Sequence, residues 1–214
     1  SVAPDEITRF VQQNASSTVL NRVTGSQGSE MLGQLLSNGR VFLINPNGIA
    51  IGAGARIDTA GFVASSLDIA DADFLSGRER FEGSGKEGRV VNRGSVEAGP
   101  GGSVYLIAPN VENSGVIRAP GGEILLAAGH SAELVSSSSP NLRVKINAPA
   151  GGAAVNVGEL VAKAGRIGLF GAVVSAGGVL DASSASRNAN GEIVLSASGD
   201  SLVGGGARID VTNS

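Results

Sequence analysis

The chain has 214 residues, 33 of them glycine, with 3% aromatic residues, no tryptophan, no cysteine and a net charge of −3. That composition excludes disulfides and thiolate metal sites and argues against a broad basic surface for nucleic acid. No apolar run reaches the ~18 residues of a membrane span, and no signal-peptide pattern opens the chain, so an exported form would be a mature or trimmed one.

Pro4-Asp5-Glu6 reads as a turn before a strand over Ile7–Val11. Asn14–Thr24 alternates weakly and reads as an early coil. Ser26–Leu36 is the best helix candidate: Met31, Leu32, Leu35 and Leu36 have helical spacing, and Ser26 or Ser29 can cap the start. Met31 reads as core filler. Gly39–Asn45 reads as a strand running into the turn Asn45-Pro46-Asn47-Gly48. Pro46 presets φ at the first central position, and Asn47 or Gly48 can take positive φ.

The form of that strand returns. Gly-x-apolar-x-apolar-x-small appears at Gly39–Asn45, Gly102–Ala108, Gly122–Ala128, Gly165–Gly171 and Gly191–Ala197. The alternating positions Val41/Leu43, Val104/Leu106, Ile124/Leu126, Ile167/Leu169 and Ile193/Leu195 share one face. A second pattern puts an apolar residue four positions before a small residue that opens a short strand. It pairs Ile51 with Ala55–Thr59, Val90 with Gly94–Ala98, Val111 with Gly115–Ala119, Val174 with Gly178–Ala182 and Val203 with Ala207–Val211. Its inward residues are Ile57, Val96, Ile117, Leu180 and Ile209. Gly102 and Gly122 are 20 residues apart, Gly94 and Gly115 21. A period near 20 with short strands signals a solenoid, because no unit can bury its own apolar face. Parallel crossovers coil right-handed. The prediction is an all-β, right-handed parallel β-helix of about nine coils at ~4.8 Å per coil.

Two segments break the pattern. Asp68–Arg89 holds six acids and four bases and reads as an excursion that Phe74 and Phe81 pack back onto the rod. Residues 129–160 depart again. There Ser136–Pro140 reads as a loop, and Leu142–Ile146 pairs in a hairpin with Ala153–Val157. Ser183–Asn190 reads as an inserted corner.

The second pattern places Asp58, Glu97, Arg118, Asp181 and Asp210 at one outward position. A β-helical polysaccharide lyase or hydrolase would use such an acidic column, often with calcium; here Arg118 interrupts it, and the column reads as a solvated face. His130, the sole histidine, reads as a surface residue, since no nucleophile-elbow pattern precedes any serine. Asp71 and Asp73 form no supported acid pair. Asn45, Asn47, Asn92, Asn110 and Asn113 sit at turns, where stacked asparagines can hydrogen-bond between coils. No catalytic residue, metal ligand or cofactor is assigned.

Four stretches resemble a known family: Val19–Gly25, Leu32-Gly33-Gln34-Leu35, Gly39–Ile49, and Gly54-Ala55 on to Leu67-Asp68-Ile69. They are similar to the two-partner secretion domain of filamentous haemagglutinin-type exoproteins, continuously over about Asn14–Ile69. Ser139–Ala150, Gly158-Glu159-Leu160 and Gly165–Gly171 resemble that family's later, looser region. The resemblance implies a β-helical domain over residues 1–214 at the start of a large secreted adhesin or haemolysin of a Gram-negative bacterium. It also implies further residues, including an amphipathic cap, before Ser1. The implied partner is a TpsB-type outer-membrane transporter, whose POTRA domains recognise the domain in the periplasm before the exoprotein crosses unfolded and folds outside. The secretion motif maps onto Asn45, Pro46, Asn47, Gly48 and Ile49. A second family motif, Asn-Pro-Asn-Leu, is approached only by Ser139-Pro140-Asn141-Leu142, in the wrong part of the chain, and its role is not transferred. Host-ligand or haem-carrier binding by the excursions is the remaining alternative.

Overall fold

The computed structural model describes residues 1–135, 143–147, 152–184 and 191–212. Among these, three parallel sheets form the walls of a right-handed β-helix. Each coil visits the walls in the same order. The Asp58 wall has eight strands: Ile7–Phe10, Gln34–Ser37, Arg56–Thr59, Ser95–Ala98, Val116–Arg118, Glu159–Val161, Val179–Asp181 and Arg208–Asp210. The Phe42 wall has seven: Thr18–Arg22, Arg40–Ile44, Gly61–Ser65, Ser103–Ala108, Glu123–Ala128, Arg166–Gly171 and Glu192–Ala197. The Asn92 wall, also of seven, runs from Ser29–Met31 to Ser201–Val203. The stack is thus eight strands deep on its deepest wall.

The interior follows from period two. On the Phe42 wall, Val19, Val41, Phe62, Val104, Ile124, Ile167 and Ile193 align in one column. Leu43, Ala64, Leu106, Leu126, Leu169 and Leu195 align in the next. Both columns belong to the main core. On the Asp58 wall the inward column is Leu35, Ile57, Val96, Ile117, Leu160, Leu180 and Ile209. Ile209 is 44% exposed because no strand lies above it among the described residues.

The Phe42 wall is buried on its outer side as well. Phe42, Ile44, Val63, Tyr105, Ile107, Leu125, Ala127 and Phe170 form a second core. An antiparallel sheet of Asp68–Ile69, Glu79–Glu82, Ser131–Val135 and Arg143–Asn147 covers it. Phe81 stacks on Phe42 at 6.4 Å between ring centroids, and Phe74 meets the Phe42 ring edge-on at 5.4 Å. Both phenylalanines therefore pack the first excursion back as the sequence suggests. Arg22 ties the excursion to the first strand of this wall, with Asp68 at 2.8 Å and Asp71 at 3.0 Å.

Three sequence expectations change. The segment Ser26–Leu36 is not helical; it contains the strands Ser29–Met31 and Gln34–Ser37, turned at Gly33. Pairing with Ile49–Ile51 and Arg56–Thr59 turns Met31 and Leu35 inward and leaves Leu32 on the corner, 38% exposed. The helix that does form is the short Asp71–Leu75 in the first excursion. The second excursion's hairpin joins Arg143–Asn147 to Ser131–Val135, not to Ala153–Val157. Ala153–Asn156 is a coil strand between Val111–Asn113 and Val173–Ala176, so the chain is back in the helix before residue 160. The coils also vary in length. Ile49, not Ile51, aligns with Val90, so the corner at Gly52–Ala55 carries two extra residues. The Ser183–Asn190 corner lies mostly outside the described residues, as does the Ser136–Pro140 loop.

Corner glycines set how closely coils approach. A Cβ on Gly122 would lie 1.7 Å from the Gly102 carbonyl oxygen, and one on Gly165 2.1 Å from that of Gly122. Gly54 has open space around the same position. We expect Gly122→Ala to lower stability by about 2 kcal/mol or more, as overpacking against backbone does, and Gly54→Ala to change it little. Urea midpoints of the two variants check this.

Candidate functional site

The strand Arg40–Ile44 ends in the Asn45–Gly48 turn, at the corner between the Phe42 and Asn92 walls. The Gly48 amide donates to the Asn45 carbonyl at 3.0 Å, closing a β-turn with Pro46 and Asn47 at its centre. Gly48 takes the positive φ, +99°, so the glycine and not Asn47 meets that requirement. A Cβ there would also meet the Arg89 carbonyl oxygen at 2.9 Å.

The five motif residues divide by burial. Asn45, Gly48 and Ile49 are buried, whereas Pro46 and Asn47 are exposed. Buried Asn45 is fully used. Its Oδ1 accepts from the Asn47 amide at 3.0 Å and from Asn47 Nδ2 at 3.1 Å. Its Nδ2 donates to the Gln27 carbonyl at 3.0 Å and to Ser29 Oγ at 2.8 Å. Asn47 Nδ2 reaches the Gly25 carbonyl at 2.8 Å. From the next coil, the Gly88 amide donates to the Pro46 carbonyl at 2.8 Å, and the Ile49 amide to the Arg89 carbonyl at 3.1 Å. The turn is thus clamped between the coil before it and the returning end of the first excursion. Both excursions leave the helix at this same corner, one and three coils further on.

The other candidates serve the scaffold. Asp58, Glu97, Arg118, Asp181 and Asp210 do share one outward register position, with Val161 between Arg118 and Asp181. Asp58 pairs with Arg56 at 2.9 Å and Arg118 with Glu159 at 3.5 Å. Asp181 accepts from the Ser183 amide and hydroxyl. Asp210 does the same for Thr212, whose hydroxyl and amide hold that carboxyl below its ordinary range. Asp71 and Asp73 are each held by an arginine, Arg22 and Arg78. Among the described residues no group of three or more His, Cys, Asp or Glu side chains is placed to hold a metal ion.

His130 is more constrained than a surface residue. Its Nδ1 is buried without a hydrogen bond, 3.8 Å from Glu87 Oε2. Burial works to raise the Glu87 carboxyl, but the amide and hydroxyl of Ser84 and the amide of Gly85 donate to it and bring it below the ordinary glutamate range. Asn92 and Asn113 form the ladder that stacked asparagines allow, with Asn156 as its unforeseen third rung. Asn92 Nδ2 donates to Asn113 Oδ1 at 2.7 Å, and Asn113 Nδ2 to Asn156 Oδ1 at 2.8 Å, all three fully buried. Aligning apolar-x-Asn across the coils, at Val90–Asn92, Val111–Asn113 and Ala154–Asn156, is the signal that identifies the third.

A groove of about 1270 Å³ runs between the Phe42 wall and the extrahelical sheet. Tyr105 donates its hydroxyl to Glu123 at 2.6 Å inside it. Burial raises the Glu123 carboxyl against the opposing effects of Tyr105 and Arg166, and burial with the nearby carboxylates Glu123 and Glu79 raises the Tyr105 hydroxyl. Arg40 pairs with Glu79 at 2.7 Å and Arg166 with Glu192 at 3.5 Å, so both of these groove arginines are already engaged.

A parallel β-helix carrying an extrahelical sheet, with a clamped turn at one corner, defines the class as a parallel β-solenoid. The chain belongs to the TPS secretion domain family, whose model matches residues 1–214. The crystal structure of the HMW1 secretion domain from Haemophilus influenzae is similar, with a TM-score of 0.83 and 35% identity over 97% of this chain and 63% of that one. A heme/hemopexin-binding protein of H. influenzae strain Rd is 34% identical over 154 residues, covering 65% of this chain and 16% of that protein. A second H. influenzae protein of the same name is 36% identical over 86 residues, covering 40% of this chain and 9% of its own length. The chain therefore spans a small fraction of the curated relatives it matches.

Two outcomes are expected. Asn45→Ala leaves the Asn47 amide and Ser29 hydroxyl short of a partner inside the corner and costs about 2 kcal/mol, more than Asn47→Ala, by urea unfolding. The raised Glu123 carboxyl binds its proton more tightly folded than unfolded. Its contribution is full below the ordinary glutamate value and is lost as pH rises through the raised one. Glu123→Gln should flatten that decline in urea midpoints measured from about pH 4 to about pH 7.

Proposed function

We propose that this chain is the secretion module of a large adhesin or haemagglutinin. Its partner is a TpsB-type transporter whose POTRA domains bind it in the periplasm, and it folds as a β-helix outside the cell. Membership of the TPS secretion domain family supports the class of function. The observation that carries the residue assignment is the division within the motif. Asn45, Gly48 and Ile49 build the corner, and Pro46 and Asn47 are what it offers to a partner. Folding coil by coil suits export. Each coil pairs only with its neighbours, so structure can grow from one end as chain emerges. Lack of cysteine leaves no disulfide to obstruct passage.

Similarity to the heme/hemopexin-binding proteins of H. influenzae favours a second reading, in which the longer protein binds a haem carrier. The extrahelical sheet is the part of this chain that would contribute, since among the described residues it and the short helix beside it depart from the repeating coils.

Co-expression with a TpsB-type transporter from the same organism tests the first reading. Replacing Asn47 by leucine should reduce the secreted fraction severalfold while the purified variant melts close to the parent. Normal export of such variants would remove Asn47 from the assignment. Retention of the parent chain in cells containing the transporter would sink the module reading itself.

A further inference from the structure

The strand Val90–Asn92 lies directly against Ile49–Ile51, in the register Ile49–Val90, Ala50–Val91 and Ile51–Asn92. An arginine flanks each end. Arg89 accepts the Ile49 amide at 3.1 Å through its carbonyl, and Arg93 donates its amide to the Ile51 carbonyl at 2.8 Å. Both backbones are therefore locked onto the strand that leaves the motif turn, while both side chains are exposed. Together with Asn47, Gly48 and Glu30 they line one shallow depression of about 490 Å³ on the outer face of the Asn92 wall.

These two side chains differ from most other arginines. Among the described residues Arg22, Arg40, Arg56, Arg78, Arg80, Arg118, Arg166 and Arg208 all sit in ion pairs. Arg89 and Arg93 have no such partner. Lys86, exposed in the same return segment, adds a third unpaired cation. The acids nearby do not answer them. Glu87 is turned inward onto Ser84 and Gly85, and Glu30 and Glu112, on neighbouring strands of this wall, pair with neither arginine. On a chain of net charge −3, two unpaired arginines whose backbones are locked beside the motif are a local exception. Unpaired surface charge steers an oppositely charged partner into register, less so as salt rises.

We propose that Arg89 and Arg93, with the exposed Asn47 tip, form the docking surface for an acidic segment on the periplasmic domains of the partner transporter. This rests on the secretion reading above and names the residues that carry its electrostatics. The arginines would set the rate and orientation of encounter, and the Asn47 turn the close contact.

The test uses the purified chain and the whole transporter in detergent. Parent affinity should fall as salt rises, and Arg89→Glu/Arg93→Glu should bind about tenfold more weakly or worse, mainly through a slower on-rate. Arg9→Glu/Lys163→Glu reverses two exposed cations elsewhere and should stay within about twofold of the parent. If charge reversal lowers the melting temperature, Arg89→Gln/Arg93→Gln should show the same weakening on an intact fold. Parent-like binding by both arginine variants overturns the inference and leaves the secretion reading standing. An equal loss in the Arg9/Lys163 control overturns it too, by reducing the effect to net charge. No binding by the parent removes both readings. Capture by phosphatidylglycerol vesicles that depends on Arg89 and Arg93, with transporter affinity unchanged, would assign the patch to lipid and overturn the proposal.

Discussion

The structure depends on main-chain pairing between successive coils. A unit of three short strands leaves every N–H and C=O of its edges and one apolar face unsatisfied. Both are met only by the unit above and below. The registers from Val41 to Phe62 to Val104 to Ile124 show one solution repeated, with large and small residues exchanged between levels. Ala64 stands where Leu43 and Leu106 stand, beside the bulky Phe62. Corners such as Gly122 and Gly165 are part of the same constraint, since backbone meets backbone there and leaves no room for a side chain.

That constraint explains where variation is allowed. Coil strands cannot lengthen without losing register, so extra chain is confined to corners. The largest insertions share the corner between the Phe42 and Asn92 walls, and the sheet they build covers the outside of the Phe42 wall. The motif turn occupies this corner one coil earlier, where Gly88 and Arg89 of the returning excursion close over it. A segment recognisable by its composition as a departure from the coils thus becomes one side of the clamp around Pro46. Placement of the unpaired arginines beside the turn follows from the same return path.

The periodic elements were legible because period two and a repeat near 20 are written in residue type. The Gly39, Gly102, Gly122, Gly165 and Gly191 strands all lie on one wall, as their shared form indicates. The second core was also visible in principle: Val41-Phe42-Leu43-Ile44 and Ile124-Leu125-Leu126-Ala127 are continuous apolar runs, which mark strands covered on both faces. Reading only their alternate positions missed this. Helical spacing at Met31, Leu32, Leu35 and Leu36 misled because a corner at Gly33 between two short strands produces the same intervals. The hairpin partner of Arg143–Asn147 was misplaced because alternation shows that a strand exists and not what it pairs with.

By itself the sequence determined the class of fold, the repeat and the turn at Asn45–Gly48, since each follows from local residue pattern. Only the tertiary structure decided which motif residues face solvent, that Asn156 joins Asn92 and Asn113, and that Arg89 and Arg93 border the turn. Those facts depend on contacts between residues 20 to 45 apart in the chain, set by coil length and excursion geometry. Local pattern carries no record of how long an inserted segment must be before the helix resumes, and that length fixes which side chains meet.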